Sequence, residues 1–263
     1  MYPLHKRQIV QDIFNDVCCR KSWIVHGPFH SAKTSMLYEV IAMLNQRNAD
    51  LKLARIEWRY ISLDNLNGWT QGSGLQIDRS AFFKFISFMI FEEKINEEEF
   101  KERLFSEHVP AASHEEKSGR LCLLIDEMQE AIGYKDPDMQ NGVHDFFRFL
   151  CNSGIPFVGA GTFTLTDWNW CQSLLPVTPM PSWKLPSPFN KAAFRQWPAF
   201  TSKEVAKILD KYERRIGHIA NGLRPLIHTE ANGHAASLMA LLRLVRDEGP
   251  TAIWYLWRDM QTT

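Results

Sequence analysis

Apolar residues recur at helical spacing from the start of the chain. Ile9, Val10, Ile13, Phe14 and Val17 fall on one face of a helix predicted over 1–20. Trp23-Ile24-Val25-His26 is instead a short apolar run stopped by Gly27-Pro28, and it reads as a buried strand. The helical period returns over 34–46, where Met36, Leu37, Val40, Ile41 and Leu44 share a face. Arg59 to Leu63 reads as a second strand, and 65–74 as a loop on its Asn and Gly content. Residues 80–103 read as one helix whose charged run from Glu92 to Arg103 is a solvated face. Leu121 to Ile125 forms the next strand; a loop around 133–142, a helix over 143–152 and a strand over 156–159 come after it. Residues 168–188, rich in Pro and Trp, read as irregular, and 195–200 as a last short strand. From Thr201 on the pattern is helical, opened by a capping box in which Thr201 and Glu204 satisfy each other's backbone donors. This alternation predicts an α/β fold with a parallel central sheet between helices, followed by a small helical domain. The expected division is a core over 1–200 and a helical lid over 201–263.

Candidate chemistry concentrates after the first strand. Gly27-Pro28-Phe29-His30-Ser31-Ala32-Lys33-Thr34 lies between a predicted strand and a predicted helix. That is the context of a Walker A phosphate loop. Backbone N–H groups and the helix N-terminus cradle phosphates, Lys33 reaches the β- and γ-phosphates, and the Thr34 hydroxyl holds Mg²⁺. Together with Ser35 these residues form the expected nucleotide-binding segment, with ATP and Mg²⁺ as its ligands. Ala32 stands where the usual G-x-x-x-x-G-K-[ST] pattern has its second Gly, which would strain the backbone if the position needs φ > 0. The run Leu121-Cys122-Leu123-Leu124-Ile125-Asp126-Glu127 matches the Walker B pattern. A strand buried on both faces carries the acids to the sheet edge, where Asp126 would reach Mg²⁺ and Glu127 would polarise the attacking water. The two motifs together point to a three-layer P-loop NTPase.

The chain also resembles AAA-like P-loop ATPases of the STAND and archaeal-ATPase kind, related to the origin-recognition branch of the AAA+ proteins. The resemblance is carried by Gly27-Pro28 with Ala32-Lys33-Thr34-Ser35-Met36-Leu37, by Ile125-Asp126-Glu127-Met128-Gln129, and by Gly159-Ala160-Gly161-Thr162. Ser187-Pro188-Phe189-Asn190, Phe200-Thr201 with Glu204-Val205, and Asn232-Gly233-His234 come next, in the family's order. It implies that Thr162, after the fourth strand, senses the γ-phosphate. It implies a basic residue after the Ser-Pro-Phe-Asn segment, a place that Lys191 or Arg195 fills; Arg195 would then stabilise developing charge. The family's Gly-His-Pro turn reads Gly233-His234-Ala235 here, without the Pro. ATPase domains of this kind also occur in Crinkler-type effector proteins.

Charge narrows the function classes. Lys plus Arg and Asp plus Glu are 30 each in 263 residues, so the net charge is zero. That balance does not favour a protein that coats nucleic acid or an acidic membrane. No apolar run has the length of a signal-peptide core or a membrane span, so an intracellular protein, cytoplasmic or nuclear, is expected. No winged-helix segment is evident after residue 248. The five cysteines include no C-x-x-C pair and read as buried thiols in a reducing compartment. His30 reads as an exposed loop residue, His234 as a helix-starting polar residue, and Trp254 to Trp257 as packing. Lys211, Arg214 and Arg215 alternate with Asp210 and Glu213 on a solvated helix. The expected function is an ATP-binding, ATP-hydrolysing switch whose partner is a protein or a second copy. A catalytically weak regulatory nucleotide-binding module, or a nucleic-acid-associated ATPase, are the alternatives.

Overall fold

The computed structural model describes residues 7–50, 55–71, 78–108, 120–132, 136–162, 192–215, 217–219 and 222–249. Five strands form one sheet: β1 (Ser22–His26), β2 (Ile56–Ser62), β3 (Arg120–Asp126), β4 (Phe157–Gly161) and β5 (Ala192–Gln196). Their spatial order is β2-β3-β4-β1-β5, and every pair is parallel. The apolar runs of β3 and β4 are explained by this order, since interior strands of a parallel sheet are covered on both faces. Residues 121–126 and the whole of β4 are buried.

Successive strand residues point to opposite faces. Leu121, Leu123 and Ile125 join a core with α4 (Arg79–Phe91), α5 (Glu97–His108) and α7 (Pro137–Ser153). In that core Phe82, Phe100, Phe146, Phe147 and Phe157 meet at ring-centroid distances of 5.2–6.2 Å. The opposite face is covered by α1 (Gln8–Cys18) and α2 (Lys33–Asn48), which bury Val10, Ile13 and Val17 and Met36, Leu37, Val40 and Leu44. The fold is thus the three-layer α/β fold of P-loop NTPases.

Four expectations need correction. Residues 64–71 form a helix, α3 (Asp64–Gln71), where a loop was expected. Leu66 is buried and Trp69 meets Phe85 edge-on at 5.8 Å, so packing overrides the local preference of Asn and Gly. The single helix over 80–103 is two helices. Glu92 takes a left-handed conformation (φ 63°) that ends α4, and Asn96 caps α5 by accepting from the Glu99 N–H at 3.0 Å. The acidic run Glu97–Glu99 thereby sits in a first helical turn, where the helix dipole favours it. The helix expected over 143–152 starts earlier: Asp136 accepts from the Met139 N–H and Pro137 occupies the first helical turn, so 137–142 are helical rather than loop. The last strand lies at 192–196 rather than 195–200, in register with all of β1. A short helix, α6 (Gln129–Ile132), comes just after the Asp-Glu pair.

The described residues fall into two compact units. The larger covers His5–Gly27 and Lys33–Gln196; the smaller holds the loop segment Pro28–Ala32 and the chain from Trp197. The smaller unit has its own core, built from Val205 and Leu209 of α8 (Ser202–Arg215), Leu223, Ile227 and Ala231 of α9 (Leu223–Ala231), and Leu238, Leu242 and Val245 of α10 (Ala235–Glu248). The capping box forms: Thr201 N–H donates to Glu204 at 2.7 Å and Glu204 N–H to the Thr201 hydroxyl at 3.3 Å. Asp210 and Glu213 pair with Arg224 at 2.5 and 2.6 Å, so the acids interleaved in α8 are partners of α9.

Candidate functional site

The ends of β1, β3 and β4 bring together residues that are distant in sequence. β4 lies between the other two strands, so the residue just past its end stands between the ends of β1 and β3. Gly27, just past β1, donates its N–H to the Gly161 carbonyl at 3.2 Å, which ties the start of the loop to the end of β4. Lys33 opens α2 and is 7% exposed. Its ammonium donates to the Gly27 carbonyl at 3.0 Å and to the Thr162 hydroxyl at 3.3 Å. Burial pushes the Lys33 pKa down, against the opposing pull of the Glu127 and Asp126 carboxylates. The loop lysine and the proposed sensor are therefore in direct contact.

Asp126 ends β3 and is 3% exposed. One carboxylate oxygen accepts from the Glu127 N–H at 3.0 Å, the other from the Tyr60 hydroxyl at 2.9 Å. Burial and the adjacent carboxylate push the Tyr60 pKa well above its usual value, so Tyr60 stays protonated and donates. Tyr60 in turn stacks on Tyr38 of α2, with centroids 5.4 Å apart. Two accepted bonds leave further lone pairs on the carboxylate, and Thr34 adds a hydroxyl in the first turn of α2. This set of hard oxygen donors fits Mg²⁺, which keeps waters and phosphate oxygens as its other ligands. Among the described residues no cluster of three His, Cys, Asp or Glu could hold a metal ion unaided.

Glu127 adopts φ 55°, a left-handed conformation costly for a residue with a Cβ. The neighbours enforce it. Met128 donates its N–H to the Ala160 carbonyl at 2.9 Å and lays its side chain over Gly159, where a Cβ would come within 2.1 Å of the Met128 sulfur. Gln129 completes the turn. Its amide Nε2 donates to the Glu127 carboxylate, and its Oε1 accepts from the Thr162 N–H at 3.0 Å. Lys33, Thr162, Gln129 and Glu127 thus form one hydrogen-bonded chain.

In the smaller unit, the loop segment contains two more left-handed residues, His30 (φ 55°) and Ala32 (φ 72°). Phe29 and His30 are exposed, as are Pro28 and, in part, Ser31. Ala32 occupies the strained geometry that a Gly would take freely. His234 caps α10 by accepting from the Ser237 N–H, and its Nε2 lies 2.9 Å from the Phe29 carbonyl. Gly233 before it takes φ 73°, where a Cβ would lie 2.3 Å from the Phe200 carbonyl.

Arg195 is exposed on the outer strand β5, and among the described residues no bond links it to the chain from Lys33 to Glu127. Lys191, the Ser187–Asn190 segment, Cys171 and the 254–257 aromatics lie outside the described residues. Cys18, Cys19, Cys122 and Cys151 are thiols rather than disulfide partners; Cys122 and Cys151 are buried as expected, whereas Cys19 is exposed. Tyr60 and Tyr38 carry no signal in the sequence patterns, while Gln129 stands in the Asp-Glu motif without an assigned role. Gln129 sits two residues beyond the Asp-Glu pair and was legible as part of the motif, whereas Tyr60 enters through the pairing of β2 with β3.

No protein-family model matches the chain, and no curated protein sequence matches it either. Solved structures do match in fold. The Aeropyrum pernix ORC1 protein in complex with DNA is similar at 14% identity and a TM-score of 0.59 over 95% of this chain and 64% of that one. AMPPCP-bound DnaA from Aquifex aeolicus is similar at 12% identity and a TM-score of 0.57 over 95% of this chain and 63% of that one. This chain thus spans less than two thirds of the length of either protein. Domain III of the Thermotoga maritima replication initiation protein DnaA matches at 15% identity and a TM-score of 0.56, over 95% of this chain and 90% of that domain. The likeness at these identities is one of fold: this chain shares the α/β architecture of the ORC1 and DnaA structures.

Proposed function

We propose that the chain binds ATP with Mg²⁺ at Gly27 to Thr34 and hydrolyses it, acting as an AAA-like nucleotide switch. The observation that carries this reading is the buried Lys33 ammonium bonded to Thr162, with Asp126 and Glu127 on the neighbouring strand end. Lys33 turns from the Gly27 carbonyl to the β- and γ-phosphates, and the Thr162 hydroxyl takes a γ-phosphate oxygen. Asp126 and Thr34 would hold Mg²⁺, whose chemistry when bound would be to offset charge building on the phosphates. Glu127 orients a water and takes its proton as the water oxygen bonds to the γ-phosphorus. The bond from that phosphorus to the β–γ bridging oxygen breaks, leaving ADP and phosphate. The segment over 201–263, whose described part holds α8, α9 and α10, serves as a lid that reports the nucleotide state, a role supported by the bond between His234 and the Phe29 carbonyl of the loop. The finer affiliation with STAND and Crinkler-type ATPases rests on the sequence motifs alone.

The test is a pair of variants. Lys33→Ala abolishes ATP binding measured by calorimetry. Glu127→Gln keeps binding and loses phosphate release. Normal ATP affinity in Lys33→Ala refutes the site.

A regulatory module with slow turnover is the second reading, favoured by the strained Ala32. Tight ATP binding with phosphate release no faster than in Glu127→Gln selects it. The similar ORC1 structure holds DNA, and the same role here would appear as salt-sensitive DNA binding. Among the described residues no helix is long and apolar enough to cross a membrane.

A further inference from the structure

We propose that Gln129 is a positioning residue that couples the γ-phosphate contact at Thr162 to the carboxylate of Glu127; this rests on the nucleotide site proposed above. A side-chain amide can accept a backbone N–H through its oxygen while its nitrogen donates to a carboxylate. Gln129 does both. Its Oε1 accepts from the Thr162 N–H at 3.0 Å, which fixes the amide plane and aims Nε2 at Glu127. The link is rigid at both ends. Thr162 comes directly after β4, whose Gly161 carbonyl is held by the Gly27 N–H. Glu127 is held in its left-handed turn by the Asp126 carboxylate and by the Met128 N–H bond to β4.

The other end of the chain is the one that a nucleotide disturbs. The Thr162 hydroxyl accepts from Lys33, the residue that a γ-phosphate would draw away. When Lys33 leaves, that hydroxyl gains a new partner, and the shift at residue 162 passes through one amide to Glu127. The sequence separation of Gln129 and Thr162 hides this coupling, because only the adjacency of β3 and β4 closes it.

The experiment is steady-state ATP hydrolysis and ATP binding for Gln129→Ala, Gln129→Glu, Thr162→Ala and the double variant Gln129→Ala/Thr162→Ala, each first checked for an unchanged thermal melt. Losing a bond to a charged group predicts that Gln129→Ala lowers kcat about ten- to a hundredfold. The ATP Kd stays within about twofold, because the amide touches no phosphate in this scheme. Gln129→Glu keeps the size, loses the donor and adds a like charge, so its kcat falls at least as far. Residues acting as one unit are not additive, so the double variant falls no further than the worse single. Gln129→Asn, which keeps the amide at shorter reach, recovers part of kcat. Full turnover in Gln129→Glu, losses that multiply in the double variant, or a loss confined to ATP Kd each overturn the coupling. If Lys33→Ala and Glu127→Gln behave as expected while Gln129→Ala turns over like the parent, the coupling alone fails. Normal ATP affinity in Lys33→Ala brings down the site itself. A parent chain that binds ATP without turnover overturns the coupling and leaves nucleotide binding standing.

Discussion

Ala32 is the sharpest place to test the loop. Its φ of 72° lies in the left-handed region, where a Cβ crowds the neighbouring backbone. That conformation costs an ordinary residue roughly 1–2 kcal/mol. Replacing Ala by Gly removes the cost but frees the unfolded chain, which returns about 0.5–1 kcal/mol. The net gain for Ala32→Gly is at most about 1.5 kcal/mol, or a rise of up to about 6 °C in Tm for a chain of this size. Ala32→Val works in the opposite direction. A β-branched residue is a genuine outlier in this region, and a loss of about 1–3 kcal/mol is expected. Both variants are compared with the parent by differential scanning calorimetry and by urea titration, with equal m-values as the check that only stability has changed. Ala32→Gly at or below the parent's stability, together with Ala32→Val equal to the parent, refutes the left-handed assignment.

Three further outcomes rest on the same geometry. Gly159→Ala places a methyl 2.1 Å from the Met128 sulfur, so it destabilises the fold by about 1–3 kcal/mol in urea titration and lowers turnover by moving Glu127; a variant as stable as the parent contradicts the packing. Tyr60→Phe removes the hydroxyl bonded to Asp126 and raises the Mg²⁺ concentration needed for half-maximal ATP hydrolysis, while an unchanged Mg²⁺ dependence dismisses Tyr60 as an orienting group. The Arg79 guanidinium, bonded to Glu97 at 2.6 Å, holds the Glu97 pKa below its usual 4.5. A depressed carboxyl pKa stabilises the fold above the unfolded value and loses that contribution as pH falls through the folded one. The stability gap between the parent and Arg79→Gln therefore narrows below about pH 4.5 in urea titrations, and a gap constant from pH 7 to pH 3 contradicts the pairing.

Legibility tracked the range of the forces involved. β1 and β3 were readable because a strand covered on both faces must be apolar throughout, and Trp23–Val25 and Leu121–Ile125 are. The capping box at Thr201 was readable because both of its partners lie within four residues. The break at Glu92 was not, since neither Gly nor Pro marks it; the turn there is bridged by the Ser87 hydroxyl, which accepts from the Ile95 N–H at 3.1 Å. α3 was hidden for a similar reason, because Trp69 is paid for by Phe85 of another helix. Lys33, Thr34, Asp126 and Glu127 could be named from motif context alone. The bonds of Gln129 to Thr162 and of Tyr60 to Asp126 join neighbouring strand ends, and a linear pattern does not state which strands are neighbours.

His234 has a consequence in proton placement. A neutral imidazole carries one ring proton, and an Nδ1 that accepts from the Ser237 N–H puts that proton on Nε2, facing the Phe29 carbonyl. The start of α10 and the backbone of the loop at Phe29 are therefore written on the same tautomer. The Ser237 bond alone fixes that tautomer, so Nε2–H stays a donor toward the loop whichever way the Phe29 carbonyl turns, and the cap, worth about 1 kcal/mol at a helix start, is kept.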